Sequence, residues 1–155
     1  MTFNAGIIGT GLALPKKVLT NHDLEKFLDT SDEWISSRTG IRQRTIASDG
    51  ENNSGFATTA AKMALQNAGI GADDIDILIV ATVSGDMPLP ATACLVQSEL
   101  GAENAAAFDI SAACSGFIYG LTIAQSYIKT GMASNVLLVG SEVLSRWVNW
   151  EDRTT

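Results

Sequence analysis

The chain has 155 residues, of which 46% are hydrophobic and 17% charged, so it is long enough to bury a core and is not a disordered segment. Ten lysine and arginine residues against 17 aspartate and glutamate residues give a formal charge of −7, which argues against nucleic acid as the main partner. The apolar runs are too short to cross a bilayer, so we expect no membrane partner, and two cysteines without disulfide spacing favour the reducing cytoplasm.

The first third of the chain contains a predicted strand, two predicted helices and a predicted ribbon. Residues 3–14 are apolar and interrupted by glycines, which indicates a central strand. Asn21 can cap a helix that runs to about residue 28, and Ser31 can cap a second helix that ends near Gly40. Residues 41–46 alternate apolar and polar side chains, which is typical of a β-ribbon.

Helices and strands alternate in the rest of the chain, after a polar loop at residues 48–55. The predicted helices are 56–68, 91–100 and 115–127, and the predicted strands are 75–83, 105–110 and 135–143. Such an alternation predicts an α/β fold with a largely parallel sheet.

Cys114 stands where a buried strand leads into a helix. Residues 105–110 form the predicted strand, residues 111–113 are all small, and the helix follows directly. The first N–H groups of a helix have no partner within the helix and favour negative charge, so this position favours the nucleophilic thiolate. A buried cysteine that packs as a small hydrophobe remains an alternative. We interpret the second cysteine, Cys94, as part of the core.

Trp34 and Arg38 lie four residues apart on the second predicted helix and therefore share a face. An indole beside a guanidinium can hold an adenine ring and a phosphate. The alternative is a tryptophan packed in the core next to a solvated arginine.

The sequence predicts no metal site. Asp73, Asp74 and Asp76 are the one group of neighbouring carboxylates considered, and we interpret them as a solvated loop that precedes a strand.

The segment Asp109-Ile-Ser-Ala-Ala-Cys-Ser-Gly-Phe resembles the active-site segment of the β-ketoacyl-acyl-carrier-protein synthase III family, in the thiolase-like superfamily. Further segments agree in the same order: Gly9-Thr-Gly, Leu14-Pro, Thr30-Ser-Asp-Glu-Trp-Ile, Arg38-Thr-Gly-Ile-Arg, Val80-Ala-Thr, Leu89-Pro, Val139-Gly-Ser and Asp152-Arg153. The resemblance implies a thiolase-like fold, with helices on both faces of a mostly parallel sheet. Because the family is built from two similar halves, we expect residues 1–155 to be the N-terminal half, which needs a C-terminal half outside this chain for full activity.

The resemblance also assigns roles to individual residues. It makes Cys114 the nucleophile that accepts the acyl group, and it aligns Leu89 with a position that reaches the acyl pocket of a partner subunit, where some relatives have phenylalanine. Four residues in matching motifs are expected to contact coenzyme A: Thr30, Trp34, Arg38 and Arg153.

The activity implied is a decarboxylating Claisen condensation of a short acyl-coenzyme A with malonyl-acyl-carrier-protein, which starts fatty acid synthesis. No metal or cofactor is expected, and the complete enzyme is expected to be a homodimer. In the family, a histidine and an asparagine of the second half stabilise the enolate, and the resemblance places neither in this chain. Two alternatives remain open: a related condensing enzyme of secondary metabolism, and a non-catalytic partner subunit.

Overall fold

The computed structural model describes residues 4–155 and divides the chain into two compact units. The larger unit contains residues 4–13 and 52–142, and the smaller unit contains residues 14–51 and 143–155. Among the described residues, no helix is long and apolar enough to cross a membrane.

The smaller unit contains a two-stranded antiparallel ribbon. Strand β1 (Lys17–Thr20) pairs with strand β2 (Gln43–Ile46), and helices α1 (Asn21–Leu24) and α2 (Asp32–Thr39) lie between them in the chain. Strand β2 confirms the ribbon predicted at residues 41–46, whereas its partner β1 was not predicted, because four residues carry too little periodicity to be recognised.

The prediction that Asn21 caps a helix running to residue 28 is wrong. Thr20 is the cap, and its hydroxyl accepts the N–H of Asp23 at 3.2 Å. Asn21 is fully buried, and its amide donates to Asp32 at 2.8 Å and to the carbonyl of Ile41 at 2.7 Å. The side chain therefore joins α2 to the chain that enters β2, and α1 is a single turn.

Helix α2 has the predicted ends. The hydroxyl of Ser31 accepts the N–H of Trp34 at 3.0 Å, which satisfies one of the free donors at the start of the helix. Gly40 closes the helix with a φ of 71°, a left-handed conformation that glycine adopts without steric cost.

The larger unit is built on a parallel sheet, as predicted, and this sheet has three strands among the described residues. Its central strand β3 (Ile77–Ala81) is buried at all five positions and lies between β4 (Ala106–Ile110) and β5 (Val136–Gly140). A strand covered on both faces needs apolar residues at every position, which explains the continuous apolar run in the sequence.

Helices cover both faces of this sheet. Leu78 and Val80 of β3 pack with α3 (Asn53–Ala68) and α4 (Thr92–Leu100). Ile77 and Ile79 point to the opposite face, where the core includes residues of α5 (Gly116–Lys129). Each fully buried side chain of this size stabilises the fold by about 1.5–3 kcal/mol. The predicted arrangement, with helices on both faces, is confirmed.

Helix α3 starts three residues earlier than the sequence predicts. Asn52 caps it by accepting the N–H of Gly55 at 2.9 Å. The carboxylate of Asp86 accepts the N–H groups of Asn53 at 2.8 Å and Ser54 at 3.1 Å. The last residues of the predicted 48–55 loop are therefore helical, because the carboxylate of Asp86, which is distant in sequence, accepts their backbone N–H groups.

The predicted strand at residues 3–14 is not found. Phe3 lies outside the described residues, and residues 4–14 belong to no strand. The segment packs its glycines on α3, where a Cβ atom on Gly11 would lie 2.0 Å from the carbonyl oxygen of Ala60. A cavity of about 450 Å³ is lined by both this segment and β5. A strand requires a hydrogen-bonded neighbour, so the segment stays irregular.

Candidate active site

Cys114 lies in a 3₁₀ turn, Ala113–Ser115, between the end of β4 and the start of α5. Its thiol is free and the residue is exposed, which contradicts the alternative of a buried structural cysteine. Gly116 at the start of α5 is buried against β3, and a Cβ atom there would lie 3.1 Å from the Cβ of Ala81. The close approach of helix to strand holds the turn at the carboxyl edge of the sheet, where α/β proteins place their binding sites.

The residue before the thiol has an unusual backbone conformation. Ala113 has a φ of 44°, and it is the one residue other than glycine with positive φ among those described. Left-handed conformations cost a residue with a Cβ atom about 1–2 kcal/mol. Such strain persists only where the surroundings determine the backbone, and it is concentrated at functional sites.

Cys94 differs from Cys114 in its surroundings. It lies in α4, is partly buried, and its sulfur is 3.9 Å from the carbonyl oxygen of Ala107 on the adjacent strand. Cys94 is therefore only partly buried and is not among the buried core residues, where the sequence interpretation had placed it.

A loop that joins β3 to α4 carries Leu89, whose side chain is 83% exposed. The carboxylate of Glu142 accepts the N–H groups of Val83 at 2.9 Å and Ser84 at 3.1 Å, and it also binds the hydroxyl of Ser84. Glu142 therefore holds the beginning of the loop. Glu142 was not predicted from the sequence.

Asn53 was also missed, although it is only 1% exposed and connects three segments of the larger unit. Its amide donates to the hydroxyl of Thr82 at 2.8 Å and to the carbonyls of Ser84 at 2.9 Å and Ser141 at 3.1 Å. Part of this contact could have been predicted from the sequence. Thr82 and Ser141 each directly follow a strand, and the ends of neighbouring parallel strands meet at the same edge of a sheet.

In the smaller unit, two guanidinium groups lie close to one indole ring. The Cζ atoms of Arg38 and Arg153 are 4.5 Å and 4.8 Å from the centre of the Trp34 ring, within range for cation–π attraction. Trp34 is 42% exposed, which contradicts the alternative of a tryptophan packed in the core, and the neighbouring Ile35 occupies the buried position instead.

A hydrogen bond orients Arg153, which lies near the end of the chain. Arg153 donates from Nη1 to the carbonyl oxygen of Asp29 at 2.5 Å. The pKa of Asp152, next to it, lies below the usual value because the hydroxyl and the N–H of Thr154 donate to the carboxylate.

The structure thus brings three of the four predicted coenzyme A contacts together. Trp34, Arg38 and Arg153 form one cluster, and Thr30 lies two residues before α2. Cys114 and Leu89 belong to the larger unit. The roles assigned to all six residues stay predictions.

Comparison with known proteins agrees with the resemblance. The family model for 3-oxoacyl-[acyl-carrier-protein] synthase III matches residues 108–155, a range that includes Cys114 and Arg153. The β-ketoacyl-[acyl-carrier-protein] synthase III of Caldanaerobacter subterraneus is 60% identical over 97% of this chain and 46% of its own length.

Solved structures show the same likeness. The crystal structure of 3-oxoacyl-[acyl-carrier-protein] synthase III from Aquifex aeolicus superposes with a TM-score of 0.93 at 58% identity, over 96% of this chain and 48% of that one. The priming β-ketosynthase of the R1128 polyketide pathway superposes with a TM-score of 0.92 at 35% identity, over 95% of this chain and 44% of that one.

The chain therefore spans about half the length of the curated relatives that it matches. The high identity over nearly all its residues and the close superposition confirm the predicted thiolase-like fold. Over nearly its whole length, this chain is similar to members of the β-ketoacyl-[acyl-carrier-protein] synthase III family.

Proposed function

We propose that this chain is the N-terminal half of a β-ketoacyl-acyl-carrier-protein synthase III and carries the nucleophile of its condensation reaction. The observation that carries the proposal is the exposed Cys114 at the strand-to-helix turn, inside the segment that the family model covers. We call the chain together with its C-terminal half the assembled enzyme.

In the first half-reaction, the thiolate of Cys114 attacks the carbonyl carbon of a short acyl-coenzyme A. The carbonyl oxygen becomes an oxyanion, which the backbone N–H of Cys114 at the helix start stabilises. The carbon–sulfur bond to coenzyme A then breaks, coenzyme A leaves as a thiolate, and the acyl group remains on Cys114.

The cluster around Trp34 supports the assignment of coenzyme A as the acyl donor. The exposed indole offers a stacking surface for adenine, and the guanidinium groups of Arg38 and Arg153 offer charge to the phosphates. Thr30 is the fourth proposed contact. Acyl-coenzyme A is a substrate in this proposal, and no metal or cofactor takes part.

In the second half-reaction, malonyl-acyl-carrier-protein loses carbon dioxide, and the resulting carbanion attacks the acyl group on Cys114. A carbon–carbon bond forms and the Cys114 thiolate leaves. The donors for the enolate are a histidine and an asparagine of the C-terminal half, by resemblance to the family. The assembled enzyme is proposed to be a cytoplasmic homodimer in which Leu89 reaches the acyl pocket of the partner subunit.

A condensing enzyme of secondary metabolism is the second candidate. One observation favours it, the likeness to a priming β-ketosynthase of a polyketide pathway. The acyl donors accepted by the assembled enzyme distinguish the candidates, since strict preference for acetyl-coenzyme A favours fatty acid synthesis.

The proposal is tested by incubating the assembled enzyme with radiolabelled acetyl-coenzyme A and mapping the adduct by mass spectrometry. We expect one acetyl group on Cys114, complete loss of labelling in Cys114→Ala, and normal labelling in the matched control Cys94→Ala. Labelling on Cys94, or undiminished labelling of Cys114→Ala, would contradict the proposal. Absence of any acetyl-enzyme would instead favour a non-catalytic partner subunit.

A further inference from the structure

The side chain of Asn21 is the centre of a buried hydrogen-bond network in the smaller unit. Its Nδ2 atom donates to Oδ1 of Asp32 at 2.8 Å and to the carbonyl oxygen of Ile41 at 2.7 Å. Its Oδ1 atom accepts a hydrogen bond from Nη1 of Arg44 at 2.9 Å. The amide thus uses both its donor group and its acceptor. Asn21 is 0% exposed, so water does not replace a lost partner.

Two of these partners mark the two ends of α2. Asp32 is the first residue of the helix, and Ile41 is the second residue after its end at Thr39. Because one amide nitrogen binds both, the start of the helix and the chain that leaves it are held at the same point. The third partner, Arg44, lies on β2, so the amide also fixes α2 relative to the ribbon.

Apolar packing restrains α2 only weakly. Ile35 is the one buried residue of this helix, all of which the structure describes. Short helices depend on tertiary contacts for their stability and their position. The carboxylate of Glu25 accepts the N–H of Asp32 at 2.6 Å, but this contact is exposed to solvent. The buried hydrogen bonds of Asn21 are therefore the main restraint on where α2 lies.

The position of α2 matters because the helix carries the cluster around Trp34. Trp34 and Arg38 are its third and seventh residues, and both side chains are exposed. Their contact distance of 4.5 Å depends on the helix alone, whereas the contact of Trp34 with Arg153 depends on where the helix lies. A shift of α2 therefore changes the surface that the cluster presents.

We propose that Asn21 is a positioning residue for coenzyme A, because it fixes α2 so that Trp34, Arg38 and Arg153 form one binding surface. The inference rests on the proposed function, which assigns this cluster to coenzyme A. Asn21 is buried and does not touch the substrate, so it acts through α2. Its effect therefore falls on the binding of acyl-coenzyme A and not on the chemistry at Cys114.

The test substitutes Asn21→Asp in the assembled enzyme and measures steady-state kinetics with varied acetyl-coenzyme A. The substitution replaces the donor group by an acceptor, so two carboxyl groups face each other at Asp32, while Arg44 keeps its partner. We expect KM to rise about tenfold with kcat nearly unchanged, since misplacing a binding group by about 1 Å can cost up to about a hundredfold.

Exchanging the two groups tests the contact itself. When Asn21→Asp is combined with Asp32→Asn, the donor and the acceptor of one hydrogen bond change places, and the two carboxyl groups no longer face each other. We expect the double variant to recover most of the loss in KM. Asp32→Asn alone should change KM little, because the new amide keeps one acceptor oxygen for Asn21.

A matched control is available in the larger unit. The side-chain amide of Gln97 also donates two hydrogen bonds, to the carbonyl oxygens of Ala102 at 3.2 Å and Ala105 at 2.7 Å. Gln97→Glu makes the same change from an amide to a carboxylate. It is expected to lower the melting temperature and to leave the KM for acetyl-coenzyme A unchanged.

A further variant covers the case in which Asn21→Asp does not fold. Asp32→Ala removes the acceptor on α2 and keeps the hydrogen bonds of Asn21 with Ile41 and Arg44. The KM for acetyl-coenzyme A is expected to rise in this variant too, with kcat nearly unchanged.

Folded variants of Asn21 and Asp32 with a lower melting temperature and an unchanged KM would overturn the positioning role. A folded double variant that keeps the full loss in KM would overturn it as well. Trp34→Ala in the same assay separates this failure from that of the proposed function. If Trp34→Ala raises KM and Asn21→Asp does not, only the role of Asn21 is lost, whereas an unchanged KM for Trp34→Ala would overturn the assignment of coenzyme A to this cluster.

Discussion

The guanidinium carbon of Arg153 lies 4.8 Å from the centre of the Trp34 ring, although the two residues come from opposite ends of the sequence. The contact is reinforced by the hydrogen bond from Arg153 to the carbonyl oxygen of Asp29, shortly before α2. The end of the chain is thereby attached to Trp34 of α2 and to the segment just before that helix.

We predict that Trp34→Ala raises the KM of the assembled enzyme for acyl-coenzyme A and leaves kcat nearly unchanged. Loss of base stacking costs about 1–3 kcal/mol, which corresponds to a rise in KM of roughly 5- to 150-fold. Steady-state kinetics with varied acetyl-coenzyme A measures the effect. Trp150→Phe is the matched control, because Trp150 lies in the same unit and its ring nitrogen bonds to the carbonyl of Ser145. Equal KM values for Trp34→Ala and the control would indicate that Trp34 has only a structural role.

The left-handed backbone at Ala113 predicts effects of different size on stability for two substitutions. Ala113→Val should destabilise the protein by about 1–3 kcal/mol, because a β-branched side chain is disfavoured at positive φ. Ala113→Gly should change the stability by less than about 1 kcal/mol, since glycine accepts this conformation but is more flexible when unfolded. Urea denaturation of the assembled enzyme measures both. A valine variant as stable as the glycine variant would show that the backbone at residue 113 is not constrained.

We predict that the protein loses stability in acid because of the hydrogen bonds that Asp76 accepts. The N–H groups of Asn135 and Ser134 donate to its carboxylate and lower its pKa from the usual 3.8. Because the pKa is lower in the folded protein, the stabilisation is complete above the unfolded value and is lost as the pH falls through the folded value. The difference in melting temperature between the wild type and Asp76→Asn should therefore be largest near neutral pH and should shrink as the pH falls below 3.8. A constant difference across this range would contradict the assignment.

The exposed apolar surface of the larger unit predicts that residues 1–155 need the C-terminal half for stable folding. Helix α5 exposes Phe117, Ile118 and Tyr119 at 46%, 61% and 55%. In the part of the chain that the structure describes, β5 pairs only with β3, so its other edge is open. Open edges and large apolar patches favour aggregation.

We therefore expect the chain expressed alone to aggregate, and co-expression with a C-terminal half to yield a soluble complex. Size-exclusion chromatography and thermal unfolding of both samples make the comparison. A soluble monomer of residues 1–155 with a cooperative melting transition would show that the exposed surface needs no cover.

Much of this protein could be determined from the sequence alone. Continuous apolar runs, such as that of β3, identify buried parallel strands because both faces need apolar residues. Small residues followed by Cys114 mark the turn between β4 and α5, and the spacing of Trp34 and Arg38 places them on one helix face. These features depend on residues that are close in the chain, where periodicity and capping operate.

Only the tertiary structure decided the contacts between residues distant in sequence. It showed that Asn21 is a buried linker and not a cap, that residues 4–14 form no strand, and that Asp109 caps α4 from a neighbouring strand. It also placed Arg153 over Trp34. A polar side chain in the sequence does not specify which backbone N–H group it will meet, because that depends on which elements pack together, and a strand forms only where a partner lies within hydrogen-bonding distance.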